Sequence, residues 1–466
     1  MLELILKKLT GNKKAVLVFF LCAGFALYAN TLRNPFVFDD IVVISENNAL
    51  KEASNPLEAF KYDVFGEKVS VDTGFYRPVA SLSFFFDYAV GKLNPFIYHF
   101  DNILIHILNS FLLFILLRKL GLGEEAALLA AFIYLIHPAN TTAVAYVSAR
   151  DSLLGVFFGF LCFIAWESAP LLSVPLFMFS ALCKENMVVL PFIIFFYWLF
   201  FELKTAPWKS KKGLTLFSLM LLSLLYTGLR VYMQKNSALV PLSFLSAESF
   251  TVRTLTFIKA LYVYLGIVLF PVKLAFENHF IERQVLNVYN ALTVLTGLAL
   301  AYVYRKNYAR FKFYAFYLLW FLIGLATVSN IFLPLSATIR LQWLYLPLGA
   351  LLAVLADALL RAARGPAGKK YVKAALLVWL PFLCVQTVRR NALWSDPLKF
   401  FKYETRVEPK NFLAWCALGD LYYDDGNYLM AEYCFNESVQ QSPGKSYDLA
   451  ISNLAEARKK INEVKK

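Results

Sequence analysis

Residues 14–31, KAVLVFFLCAGFALYANT, carry no charge after Lys14 and are followed within nine residues by Phe38-Asp39-Asp40. A bilayer core of about 30 Å takes roughly 20 apolar helical residues to cross. The run therefore predicts a membrane-spanning helix, with Lys7, Lys8, Lys13 and Lys14 at one end and an acidic pair just beyond the other. No small-residue cleavage site follows it, so it reads as a retained span rather than a signal peptide.

Similar runs recur along the 466 residues, 59% of which are hydrophobic and 17% charged, with 44 Phe. Spans are expected at 14–31, 98–117, 124–138, 151–167, 170–183, 187–202, 213–233, 288–304, 312–328, 342–361 and 371–388. That is an all-α, polytopic architecture of about eleven helices, or twelve if the apolar segment 248–271 also crosses; we expect 248–271 to be re-entrant or to lie along the outer surface. The net charge of +14 is concentrated at span ends, as in Arg118-Lys119, Lys204 to Lys212, Arg305 to Lys312 and Arg361 to Lys370. Such clustering marks the cytoplasmic side and, lacking a basic stripe with interleaved aromatics, argues against nucleic acid. It gives a cytoplasmic N-terminus, long outer loops at 32–97 and 234–287, and an outer C-terminus. The six Cys show no metal-ligand spacing.

Beyond Trp394 the composition changes. Trp415, Leu418, Gly419, Tyr422, Gly426, Tyr428, Ala431, Phe435 and Pro443 fall at the signature positions of a tetratricopeptide repeat. The expected division is a transmembrane module over 1–390 and a short α-solenoid over 391–466, with one full repeat at 412–445. One repeat cannot bury its own faces. A preceding half-repeat carrying Phe401 and Pro409, and a capping helix near 446–463, would complete the stack.

The unusual polar residues gather on the outer side. Asp39 and Asp40, at the membrane surface, are candidates for a general base; a solvated loop or helix cap is the bland alternative. Tyr76-Arg77-Pro78 offers a guanidinium for bidentate contact with phosphate, or a surface Arg paired with Asp72 or Asp87. His99, Asn102, His106 and Asn109 share one helix face, lining a cavity or forming a hydrogen-bonded seam. His137-Pro138, Arg150-Asp151 and Lys184-Glu185 join spans on the same side, where the charged neighbours could also simply neutralise each other. Arg77, Arg150, Lys184 and Arg340 together suit an anionic headgroup carried on a lipid tail.

Val37-Phe38-Asp39-Asp40, Tyr76-Arg77-Pro78, Tyr98-His99-x2-Asn102-x3-His106, His137-Pro138-x2-Thr141 through Ser148, and Lys184-Glu185 occur in this order in one family. The chain resembles the transmembrane and tetratricopeptide-repeat O-mannosyltransferase-like proteins of the GT-C superfamily. The resemblance implies an inverting glycosyltransferase that moves a sugar from a polyprenyl-phosphate donor to a protein Ser/Thr hydroxyl or an envelope glycan. Asp39 or Asp40 would be the base. Arg77, Lys184, Arg150 and Arg340 would bind the donor phosphate, and Tyr76, His99, Asn102, His106, His137 and Glu185 would line the substrate cavity. No cofactor is required, and assistance by a divalent cation stays open. The expected setting is a bacterial inner membrane with a periplasmic site and repeat domain. Departures from the family pattern include Thr141-Thr142-Ala143, where an acidic residue is usual, and Leu341-Gln342-Trp343 before Leu344-Tyr345-Leu346-Pro347. Two other classes remain: a flippase for lipid-linked sugar precursors, and a membrane-anchored scaffold.

Overall fold

The structure, a computed structural model, describes residues 11–69, 75–234 and 243–464. Lys7, Lys8 and Asp72 lie outside them.

Helix α1 (Lys13–Tyr28) starts where the Asn12 side chain accepts the Ala15 amide at 3.0 Å, satisfying one of the donors a helix leaves open. After the first long loop come α2 (Pro78–Gly91) and α3 (Pro95–Lys119). Asn94 caps α3 and Pro95 sits in its first turn, where a missing N–H costs nothing. Helix α4 (Glu124–Ile136) is stopped by Pro138, and the chain turns 50° into the short α5 (Thr141–Ala145). Then follow α6 (Arg150–Ser168), α7 (Ser173–Cys183), α8 (Leu190–Tyr197), α9 (Lys211–Gln234), α10 (Phe250–Leu269), α11 (Val288–Lys306), α12 (Tyr308–Ala326), α13 (Tyr345–Ala362) and α14 (Pro366–Leu393).

Among the described residues nine helices are long and apolar enough to cross a membrane, ten if the bent α4–α5 pair is one span. The chain is a helical, multi-pass membrane protein. Every expected span coincides with a helix, but not all meet the spanning test: α11, at the expected span 288–304, is not apolar enough. Helix α7 has 11 residues, about 17 Å at 1.5 Å per residue, too little to cross alone. Helix α10, expected to be re-entrant or surface-lying, is instead an unbroken 20-residue helix that meets the spanning criterion. A re-entrant loop needs a break that this segment lacks.

The chain divides into two units. The first comprises 1–239, 295–327 and 342–391; the second comprises 240–294, 328–341 and 392–466. In the first, α3 packs against α1, α4 and α6, and α13 against α4 and α12. Its centre is closed by side chains such as Tyr98, Tyr134, Trp166 and Tyr345, all at most 1% exposed. In the second unit, Glu277–Asn278 (β1) pairs antiparallel with Ile339–Arg340 (β2). Its terminal helices are α15 (Pro397–Val407), α16 (Phe412–Asp424), α17 (Tyr428–Gln441) and α18 (Asp448–Val464). Asn411 and Asn427 cap α16 and α17. Gly419 lets the α17 ring of Phe435 approach so closely that a Cβ there would lie 2.6 Å from it. The terminal helices cluster with the segments 240–294, which includes α10, and 328–341.

Candidate active site

The loop after α1 leaves the helix through a tight turn. The amides of Asp40 and Ile41 donate to the carbonyls of Val37 and Phe38 at 3.2 and 3.0 Å, which forces Phe38 to φ 59°. A bulky residue seldom occupies that region, and strain of this kind persists where the surroundings over-determine it. The turn separates the two aspartates: Asp40 is 1% exposed and Asp39 is exposed. Asp40 Oδ1 accepts from the Ser148 amide and hydroxyl at 2.7 and 2.6 Å. Its Oδ2 accepts from the amides of Val37 and Val147 at 3.2 and 3.4 Å. Burial pushes the Asp40 carboxyl up to about 7, against the pull of the Ser148 and Val37 hydrogen bonds. Both Asp40 oxygens are occupied in tying the first turn to the loop before α6.

Two residues past Ser148 the chain enters α6 with Arg150 and Asp151. Sequence neighbours on a helix point about 100° apart, and these two take different partners. Arg150, fully buried, pairs with Asp87 of α2 at 2.6 Å. It also donates to Asn102 Oδ1 at 2.7 Å and to the Tyr98 carbonyl at 2.8 Å, and it lies over the Phe84 ring. Asp151 takes Arg77 at 2.6 Å and Lys184 at 3.0 Å. Arg77 completes its fork on Glu185, with Nε and Nη2 donating at 2.9 and 2.6 Å. Lys184 also donates to the Ser152 hydroxyl at 2.6 Å. Burial draws Lys184 below the ordinary lysine range, with Asp151 opposing.

The helix directions explain the convergence. The end of α1, the start of α3, the start of α6, the end of α7 and the residues just before α8 are joined by these bonds at one end of the first unit. Arg77, Lys184, Glu185 and Asp151 form one ion cluster. The expected alternatives, Arg150 with Asp151 and Lys184 with Glu185, are not the pairs that form, and Asp87 serves Arg150 rather than Arg77.

Other expected residues take other places. His99, Asn102 and His106 are fully buried, enclosed in the bundle rather than facing open space. His99 Nε2 meets the Asn34 carbonyl at 3.2 Å, so that nitrogen carries the proton. Asn102 donates to the Val144 carbonyl at 3.2 Å. His106 bridges the Tyr345 hydroxyl at 2.8 Å and the Leu135 carbonyl at 3.1 Å, and Asn109 reaches Leu153 and the same Tyr345. This face is a seam that fixes where α3 and α6 begin. His137 Nδ1 accepts the Ala139 amide in the bend, and the Tyr76 hydroxyl donates to the Phe60 carbonyl. Arg340 belongs to the second unit, where it pairs with Glu277.

Sequence reasoning missed the roles of three residues. Asp87 is the buried counter-ion of Arg150. Tyr345 anchors the α3 seam, although the motif around it was noticed. Arg230 of α9 is 5% exposed and close enough to help hold Glu185 ionised; an Arg inside an apolar run was its available signal. Among the described residues no three His, Cys, Asp or Glu side chains form a group able to hold a metal ion.

No protein-family model matches the chain. Protein O-mannosyl-transferase TMTC3 of Homo sapiens is 24% identical over 485 residues, covering 94% of this chain and 52% of that protein. Tmtc3 of Drosophila melanogaster is 24% identical, covering 92% and 56%. TMTC2 of Homo sapiens is 35% identical over 147 residues, 30% of this chain and 18% of its own length. Among solved structures, the Archaeoglobus fulgidus oligosaccharyltransferase tethered to an acceptor peptide aligns with TM-score 0.43 and 13% identity, covering 90% of this chain and 58% of that one. The chain spans about half the length of the curated relatives it matches. Its similarity to the protein O-mannosyl-transferases TMTC3 and Tmtc3 runs along more than nine-tenths of its length.

Proposed function

We propose that the protein is an inverting glycosyltransferase of GT-C type. It transfers a sugar, mannose by analogy with the relatives' name, from a polyprenyl-phosphate donor to a Ser or Thr hydroxyl of a protein. The acceptor binds on the periplasmic face of a bacterial inner membrane. The observation that carries this reading is the joining, at one bundle end, of the Arg77–Asp151–Lys184–Glu185 cluster to the turn that exposes Asp39.

In this reading Asp39 takes the acceptor proton, and the hydroxyl oxygen attacks the anomeric carbon. The bond from that carbon to the phosphate oxygen breaks, and polyprenyl phosphate leaves with the electron pair. No protein-bound intermediate forms. Negative charge develops on the phosphate, where Arg77 and Lys184 stabilise it. Their positions are already set by Asp151 and Glu185, so little reorganisation is needed as the charge grows. Asp40 keeps the turn in shape, which distinguishes two aspartates that the sequence left equivalent. The terminal helices serve acceptor recruitment, and membrane lipids surround the spans.

The test is transfer from a synthetic polyprenyl-phosphate mannose to an acceptor protein in membranes carrying single variants. Asp39→Asn should lower transfer by about 100-fold or more with unchanged membrane insertion. Full activity in both Asp39→Asn and Asp40→Asn would exclude a base at this turn.

A further inference from the structure

The second unit contains a hollow of about 350 Å³ that belongs to no motif of the proposed transferase site. That is at the lower end of the size of small-ligand pockets. It is walled by the 279–283 stretch after β1, by Phe244, by Lys410 in the turn before α16, and by the end of α17 from Gln440 to Gly444. All of these segments lie within one unit.

Its floor is rigid. His279, 2% exposed, forms a three-ring cluster with Phe244 and Phe412, edge-on at centroid distances of 5.2 and 6.0 Å. Phe412 in turn packs edge-on against Tyr447 at 5.2 Å. The ring nitrogen Nε2 donates to the Ser336 carbonyl at 3.1 Å, which fixes the imidazole plane. Edge-on aromatic contacts therefore back this wall of the hollow.

The rim is one-signed. Among the described residues that line it none is Asp or Glu, while Arg283 and Lys410 are cationic and Gln440 and Gln441 carry amides. Glu248 occupies part of the Arg283 guanidinium, which is still 64% exposed. A neutral saccharide presents mostly hydroxyl donors and is usually met by carboxylates, which this lining lacks. An anionic group flanked by an apolar side chain matches it on both counts. The charge meets Lys410 and Arg283, and the apolar part meets Phe244 and Phe280.

We propose that this hollow docks an acidic-and-apolar stretch of the acceptor polypeptide, a few residues long, separately from the reacting hydroxyl. The assignment of the bound polypeptide as acceptor rests on the transferase reading above; the binding itself does not. Recognition outside the reacting centre gives acceptor choice without demanding a sequence around the modified Ser or Thr.

The experiment uses the full chain in detergent micelles and a fluorescein-labelled decapeptide of alternating Glu and Phe, with a Gln–Phe counterpart, followed by fluorescence anisotropy. The acidic peptide should bind at least tenfold tighter than the amide peptide. Binding should weaken between 50 and 500 mM salt, as expected for exposed charges. Lys410→Glu should lose about tenfold in affinity for the acidic peptide, and Arg283→Gln about threefold; both side chains are exposed, so folding is preserved. Equal affinity for the two peptides, or wild-type affinity in Lys410→Glu, overturns the proposal. Tighter competition by a hyaluronan tetrasaccharide than by the acidic peptide overturns the peptide assignment. Asp39→Asn should bind the peptide unchanged. Binding without transfer in the wild type would thus count against the transferase reading alone, and transfer without binding against this docking site alone.

Discussion

Asp151→Asn removes the carboxylate that holds two cations. Asp151 Oδ2 is 2.6 Å from Arg77 and Oδ1 is 3.0 Å from Lys184, and the Asp151 side chain is only 7% exposed. Deleting one partner of a buried ion pair costs about 3–5 kcal/mol, because the remaining charge stays desolvated. Arg77 keeps Glu185 and is 16% exposed, so the lower end of that range, about 3 kcal/mol, is the expected loss. Lys184 carries most of it, since its charge would be left with the neutral Ser152 hydroxyl as hydrogen-bond acceptor. Adding Lys184→Met removes that stranded charge, so the double variant should regain at least half of the loss. The assay is equilibrium denaturation of the detergent-solubilised protein, read as a double-mutant cycle. Asp151→Asn within about 0.5 kcal/mol of wild type, or a double variant equal to the sum of the singles, would refute a coupled buried cluster.

Further expectations follow from other parts of the molecule. Arg150→Met should be among the most damaging single changes, leaving Asp87 buried without its partner at a cost of about 3–5 kcal/mol, measured by yield of folded protein and thermal unfolding. Asp40 has its folded pKa raised from 3.8 to about 7. Between these values the folded state holds a proton that the unfolded state releases, so this group's contribution to stability falls as pH rises from about 4 to 7 and is flat above. Denaturation midpoints against pH should show that slope in wild type and lack it in Asp40→Asn. Gly419→Ala drives a methyl into the Phe435 ring and should cost about 1–3 kcal/mol in a thermal melt.

Much of the architecture was legible in the sequence, and for a definite reason. A span in hydrocarbon must satisfy its own backbone and present apolar side chains all round, so length and composition alone reveal it; every expected span is a helix. Caps such as Asn12, Asn94 and Asn411 are equally local, since donor and acceptor are three residues apart or fewer. The bend at Pro138 was written in the ring that cannot join a helix. For segment 248–271 only the re-entrant alternative fails, because the positive-inside count judges a helix by its neighbours' charges, whereas continuity depends on its own hydrogen bonds.

The sequence by itself determined that Asp39, Asp40, Arg77, Arg150, Lys184 and Glu185 stand at span ends, and that the chain belongs in a membrane. Only the tertiary structure decided who pairs with whom. Arg150 turns to Asp87 and Asp151 to Arg77 and Lys184, because adjacent residues on a helix face different neighbours and each buried charge must find its counter-ion across helices. The same holds for the aspartate pair. One turn at Phe38 buries Asp40 among four donors and leaves Asp39 exposed, a division that depends on where Ser148, 108 residues away, is delivered by the packing of α3 against α6.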